Sequence, residues 1–178
     1  EGEKMGLIYS RINNPDMEIL EERLKIWDGG EAAAVFSSGM SAIATSLVSF
    51  LKPGDILLFS NPIYGGTHKF IHYMLDNWGV TAIGFTAGDS KQNILDLIET
   101  NQAAGKLKMV YIETPANPTN DLIDIKMCSE IAKQYSTADN QILLAVDNTY
   151  MGPLWQHPLK HGADIVLYSA TKYIGGHS

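Results

Sequence analysis

The chain has 178 residues, enough for one domain with a sizeable core. Hydrophobic residues make up 45% and charged residues 19%, which excludes a disordered chain and suits a folded, soluble α/β protein. A formal charge of −7 and a pI of about 5.1 argue against nucleic acid or an anionic membrane as the main partner. A local basic pocket for one phosphate would not register in that total. Cys128 is the single cysteine, so disulfide frameworks and multi-cysteine metal sites are excluded within the chain. No apolar run approaches the ~18 residues of a membrane span, and the first residues do not resemble a secretory signal. The expected location is cytoplasmic.

Residues 1–13 lack a clear period and read as an extended arm. Asn14-Pro15 then predicts a helix start, with Asn as the cap and Pro in the first turn, where its missing N–H costs nothing. Leu20, Leu24 and Trp27 recur at helical spacing over 16–28, and Gly29-Gly30 ends the run. Beyond it, short apolar runs at 32–37, 56–60, 81–85, 109–113, 142–147 and 164–169 predict strands. Amphipathic stretches at 41–51, 67–77, 93–104 and 125–135 predict helices between most of them, and Cys128 falls in the last as a small buried hydrophobe.

Strands alternating with helices predict an α/β fold: a mostly parallel sheet with helices on both faces. Ligands in such sheets sit at the carboxyl ends of the strands. There is no internal repeat, low-complexity tract or linker. Residues 14–178 therefore read as one domain. The lack of an initiator Met and the terminal Gly-Gly-His-Ser predict that this domain is incomplete.

The strand ends carry the candidate chemistry. Ser38-Gly39-Met40-Ser41 follows the first run and opens a helix, where a glycine turn and a helix N-terminus suit an anion. Alone it reads equally as a tight turn. Tyr64, before Gly65-Gly66, is either a ring-facing aromatic or an exposed loop residue. Asn117 lies between Pro115 and Pro118, which stiffen its loop. Asp147 ends an apolar strand, where a carboxylate is costly unless a cation or donor faces it. A pyridinium N–H is one such donor; a cap or surface Asp is the plainer reading.

Lys172 follows the last strand between hydroxyl residues, in Ser169-Ala-Thr171-Lys172. A lysine there suits a phosphate-bearing aldehyde cofactor: the amine forms a Schiff base and the hydroxyls hold the phosphate. That role requires a neutral amine, which burial and nearby cationic charge favour. A surface lysine is the alternative, and the conjunction with the anion-binding turn, the aromatic and the carboxylate argues against it.

Three patterns are set aside. Tyr168 and Lys172 match the Tyr-x-x-x-Lys pair of short-chain dehydrogenases, but residues 37–42 lack the dinucleotide turn those enzymes need. His68 and His72 have the spacing of a zinc helix but no intervening glutamate base and no evident third ligand, so no metal site is expected. Gly65-Gly66-Thr67 lacks the lysine of a P-loop.

Six segments together make the chain resemble the Cys/Met-metabolism family of pyridoxal-phosphate enzymes. They are Tyr9-Ser-Arg-Ile-Asn-Asn-Pro15, Ser37-Ser-Gly-Met40, Tyr64-Gly-Gly-Thr67, Glu113-Thr-Pro-Ala-Asn-Pro-Thr119, Val146-Asp-Asn-Thr-Tyr150 and Ser169-Ala-Thr-Lys-Tyr-Ile-Gly-Gly-His177. They run in family order over essentially the whole chain. The family includes methionine γ-lyase, cystathionine γ-lyase, cystathionine γ-synthase and O-acylhomoserine sulfhydrylase.

The resemblance implies the fold and the roles. The fold is the large domain of the aspartate-aminotransferase type (PLP fold type I), with its C-terminal domain missing here. Pyridoxal 5'-phosphate is the implied cofactor. Lys172 is implied to carry it and later to move protons. Asp147 pairs with the pyridine nitrogen, and Tyr64 stacks on the ring and acts near the leaving group. Gly39, Met40, Ser169 and Thr171 hold the phosphate, and Asn117 lies near the ring hydroxyl.

Tyr9 and Arg11, on the arm, are implied to reach the phosphate of a neighbouring subunit in a homotetramer built from two active dimers. Asp16 stands where the family usually has threonine and serves the helix start. An apolar Ile8 leans toward methionine-like or O-acylhomoserine substrates. Gly66 leans away from methionine γ-lyases, which have cysteine there.

The expected activity is γ-elimination on a sulfur amino acid. γ-Replacement is the alternative, and a non-catalytic piece that only assembles with other chains is the reading from another class. The arginine for the substrate carboxylate is expected in the missing C-terminal domain.

Overall fold

The computed structural model describes residues 6–177. Helix α1, Pro15–Asp28, starts as the sequence predicts: Asn14 Oδ1 accepts the Asp16 N–H, and Gly29 ends it in the left-handed region at φ 71°. It sits at the periphery, with Ile19, Ile26 and Trp27 exposed and only Asp28 buried. The chain then runs through α2 (Gly39–Phe50), β1 (Ile56–Ser60), α3 (Gly65–Phe70), a π turn (Ile71–Leu75), α4 (Asp76–Trp78), β2 (Thr81–Phe85) and α5 (Lys91–Thr100). β3 (Leu107–Glu113), α6 (Ile125–Tyr135), β4 (Leu143–Asp147), α7 (Gly152–Trp155), a 3₁₀ turn (Pro158–His161) and β5 (Ile165–Leu167) complete it.

The five strands form one parallel sheet in the order β2-β1-β3-β4-β5. Alternate residues feed two cores. Leu58, Val110, Ile112, Leu144 and Val146 face α5 and α6, where Ile94, Ile98, Cys128 and Ile131 pack. Leu57, Phe59, Met109, Tyr111 and Ala145 face α2 and the α3–π segment, packing on Ile43, Leu47, Ile71 and Leu75. Burial on both faces explains why these strands read as continuous apolar runs. Cys128 is buried in the first core, and burial pushes its thiol up to about 12.

Several expectations need correction. Residues 32–37 form no strand. They pair with no strand of the sheet, and the Val35 N–H donates to Glu21 Oε1 at 2.9 Å instead. The predicted helix at 67–77 is longer and changes pitch, passing through the π turn, with Ile71 and Leu75 buried in the second core. β3 starts two residues before the expected Met109, and β5 is only three residues long.

The order reverses direction between β1 and β3, which opens a crevice at their carboxyl ends. Among the described residues no helix is long and apolar enough to cross a membrane.

Candidate active site

The carboxyl ends of β1, β3, β4 and β5 and the start of α2 surround one cleft of about 180 Å³. Its floor is Asp147, the last residue of β4 and only 5% exposed. A carboxylate so placed must find donors. Oδ1 accepts the Thr149 N–H at 3.1 Å and the Thr149 hydroxyl at 2.6 Å, and Oδ2 lies 3.5 Å from the Tyr111 hydroxyl. Burial raises the Asp147 carboxyl above its ordinary range, while the Thr149 and Tyr111 bonds and the charge of Lys172 pull it back. Among the described residues no ion pair engages it.

The Thr149 hydroxyl also accepts the Ser169 N–H at 2.9 Å, so the turn after β5 hangs on the same residue. In that turn Ser169 Oγ and Thr171 Oγ1 stand 3.1 Å apart. Lys172 Nζ lies 3.1 Å from Thr171 Oγ1 and 3.5 Å from Ser169 Oγ. The lysine is exposed rather than buried as its chemistry suggests. β5 is an edge strand, and no described strand lies beyond it to cover the turn.

Opposite these hydroxyls is the start of α2. Ser38 Oγ caps it by accepting the Ser41 N–H at 3.0 Å, which leaves the Gly39 and Met40 N–H groups without helical acceptors. A Cβ at Gly39 would lie 2.8 Å from Ser169 Cβ and 2.9 Å from Ser169 Oγ, so only glycine lets this helix start approach the hydroxyls.

Tyr64 forms one wall and is 41% exposed. A Cβ at position 66 would stand 2.5 Å from Tyr64 Cε1 and 2.9 Å from Met40 Sδ, so a larger residue there would displace both side chains. Gly66 thus has a packing reason in this chain. Asn117 lines the same cleft, its amide donating to the Tyr150 hydroxyl at 3.1 Å. Gly39, Met40, Tyr64, Asn117, Asp147, Ser169, Thr171 and Lys172 are therefore brought together.

Tyr9 and Arg11 are not. Both are exposed outside the cleft, with the Arg11 guanidinium 5.4 Å from the centre of its neighbour's ring at Tyr9. Sequence reading missed four residues of the site: Glu113, Tyr111, Thr149 and Tyr150. Glu113 ends an apolar strand as Asp147 does, and that pattern was the available signal.

The set-aside patterns have other occupations. The Tyr168 hydroxyl donates to Asp28 Oδ1 at 2.7 Å and accepts from Asn148 Nδ2 at 2.9 Å. The His68 and His72 rings lie 4.4 Å apart, and His72 Nδ1 meets Asp76 at 3.3 Å.

A family model described as "Cys/Met metabolism PLP-dependent enzyme" matches residues 1–178. The chain belongs to this family. It is 40% identical to an L-methionine gamma-lyase of Pseudomonas deceptionensis over 99% of this chain and 42% of that protein. It is 39% identical to the cystathionine gamma-lyase of Homo sapiens, over 99% of this chain and 41% of that protein. The chain thus spans about two fifths of the length of the curated relatives it matches. Among solved structures, a putative O-acetylhomoserine (thiol)-lyase from Campylobacter jejuni superposes with a TM-score of 0.85 at 34% identity. That match covers 97% of this chain and 40% of that one, whose crystal structure carries N'-pyridoxyl-lysine-5'-monophosphate. The fold is that of these type I pyridoxal-phosphate enzymes, with the sequence here matching their N-terminal part.

The family's cofactor is pyridoxal phosphate, and the residues present fit it. Two free helix N–H groups face two hydroxyls across a gap that tolerates only glycine, as a phosphate requires. A buried carboxylate that no ion pair engages among the described residues stands in the same cleft, as a protonated ring nitrogen requires. A primary amine lies at the hydroxyl side, within the same small volume.

Proposed function

We propose that this chain forms the cofactor-binding part of an enzyme that breaks the C–S bond of a sulfur amino acid by γ-elimination. The observation that carries the reading is the convergence of Asp147, Tyr64 and Lys172 with the Ser169–Thr171 hydroxyls in one cleft. Four of the curated relatives, all 38–40% identical, are L-methionine gamma-lyases, which favours elimination.

When bound, pyridoxal phosphate supplies an aldehyde that captures amines and a ring that withdraws electrons. This chain's residues do the rest. The Gly39 and Met40 N–H groups and the Ser169 and Thr171 hydroxyls hold the phosphate. Asp147, fixed by Thr149, accepts a hydrogen bond from the ring nitrogen and favours its protonated form. Asn117 stands toward the ring hydroxyl, and Tyr64 covers one ring face.

The Lys172 amine, when neutral, takes the substrate α proton and then moves a proton at the β carbon. The Tyr64 hydroxyl gives a proton to the departing sulfur. The arm, residues 1–13, carries Tyr9 and Arg11 to the phosphate site of a second copy; its residues 1–5 lie outside the described residues. The exposure of both side chains, and of Ile19, Ile26 and Trp27 on α1, supports an assembly that covers this side. Residues 14–178 are then most of the large domain.

γ-Replacement is the second reading, and the close superposition on a putative O-acetylhomoserine (thiol)-lyase favours it. Assaying the full-length protein with methionine, with cystathionine, and with O-acetylhomoserine plus sulfide decides between them. Elimination predicts an α-keto acid and a released thiol from the first or second. Turnover only in the third would replace this reading. If the 178-residue chain alone turned over substrate, the view of it as a non-catalytic piece would fall.

A further inference from the structure

Glu113 has no part in the cofactor contacts described above, yet it is buried and lines the cleft. It is the last residue of β3 and the register partner of Asp147 on β4. Two carboxylates at neighbouring buried positions oppose each other, so the sequence carries an electrostatic cost here that packing alone does not explain. The hydrogen bonds do explain it. Glu113 Oε2 accepts the Tyr64 N–H at 2.6 Å, and Oε1 accepts the Asn117 N–H at 2.9 Å. Ser60 Oγ accepts the Glu113 N–H at 3.1 Å, which anchors the residue's own backbone to the end of β1.

One carboxylate thus joins two loops that have no other side-chain bond to each other among the described residues. The first loop carries the Tyr64 ring, and the second carries the Asn117 amide. Tyr64 is also the residue before α3, where no side chain caps the helix, so this bond fixes where the ring enters the cleft.

We infer that Glu113 is a positioning residue: by accepting one N–H on each carboxylate oxygen, it sets the Tyr64 ring and the Asn117 side chain over the floor formed by Asp147. The inference rests on the cofactor roles given to Tyr64 and Asn117 under Proposed function. It also explains why a carboxylate is required. Glutamine has the same length but only one acceptor oxygen, so its NH₂ would face one of the two N–H donors. Aspartate keeps both acceptors but is one methylene shorter and cannot hold both loops where they stand.

The test is a double-mutant cycle on the full-length protein, read as the equilibrium dissociation constant for pyridoxal phosphate. Glu113→Gln is measured in the wild-type background and in a Tyr64→Ala background. If Glu113 works largely through the Tyr64 ring, Glu113→Gln weakens binding about tenfold in the first and at most about threefold in the second, a coupling of the size found between residues in contact. Equal losses in these two backgrounds and in an Asn117→Ala background would overturn the inference. So would a Glu113→Asp protein that binds the cofactor as wild type does, and this variant keeps the charge should Glu113→Gln fail to fold. Because the readout is cofactor affinity, it separates from the activity reading. A wild-type protein that binds pyridoxal phosphate but turns over no sulfur amino acid would sink the proposed reaction and leave this cycle to be judged on its own numbers.

Discussion

The Thr149 hydroxyl donates to Asp147 Oδ1 at 2.6 Å, and Thr149 Oγ1 itself accepts the Ser169 N–H at 2.9 Å. One side chain therefore fixes both the floor of the cleft and the start of the hydroxyl turn. Replacing it with valine keeps its shape and removes both bonds. Each such bond to a charged or buried group contributes about 1–3 kcal/mol. Thr149→Val is expected to weaken pyridoxal-phosphate binding by one to two orders of magnitude, on the order of 1.4 kcal/mol for each. Thr149→Ser should stay within about threefold of wild type, on the same scale. Equilibrium dialysis of the cofactor checks both.

Glu113 gives the protein a pH dependence of definite sign. Burial raises its carboxyl from the ordinary 4.5 to about 7, the Tyr64 N–H opposing this and the Asp147 charge adding to it. Between those values the folded protein holds a proton that the unfolded chain has released. Stability contributed by this group is present below pH 4.5 and is lost as pH rises toward 7. Asp28 and Asp147 are raised as well and act with the same sign. Urea midpoints measured from pH 5 to 8 should fall with pH, and Glu113→Gln should flatten the slope. The full negative charge that serves the two N–H groups therefore develops at the expense of stability.

Tyr168 closes a network that ties α1 to the sheet. Its hydroxyl donates to buried Asp28 and accepts from Asn148, whose amide also reaches the Gly152 and Gln156 carbonyls. Tyr168→Phe leaves Asp28 without that donor, which costs about 1–3 kcal/mol. Chemical unfolding should show that loss, and Tyr168→Phe together with Asp28→Leu should recover part of it.

Cys128 should be silent toward thiol reagents. It is 1% exposed, and burial holds its thiol at about 12, so little thiolate forms near neutrality. Titration with a chromogenic disulfide is expected to find no reactive thiol in the native protein and one per chain in urea. Rapid native reaction would contradict the first-core packing.

The elements that could be read from sequence are those whose signal is local. Asn14, Pro15 and Gly29 mark the ends of α1 by backbone chemistry alone, and the apolar runs at β1, β3 and β4 follow from burial on both faces. The run at 32–37 has the same composition, but a strand also needs a neighbour, and Val35 bonds Glu21 instead. The site divides the same way. Asp147 and Lys172 stood out by residue type, and their motifs carried the family resemblance. Glu113 and Thr149 act through backbone N–H groups of residues 49 and 20 positions away, which no local pattern encodes. The exposure of Lys172 depends on what packs beyond the edge strand, and that too is non-local.

Lys172 is proposed above as the lysine that holds the cofactor in this cleft. Borohydride reduction of the pyridoxal-phosphate-loaded full-length protein, followed by peptide mapping, tests it directly. A pyridoxyl group is expected on the peptide carrying Lys172, and none after Lys172→Ala. A label on another lysine, with Lys172 unmodified, would contradict it.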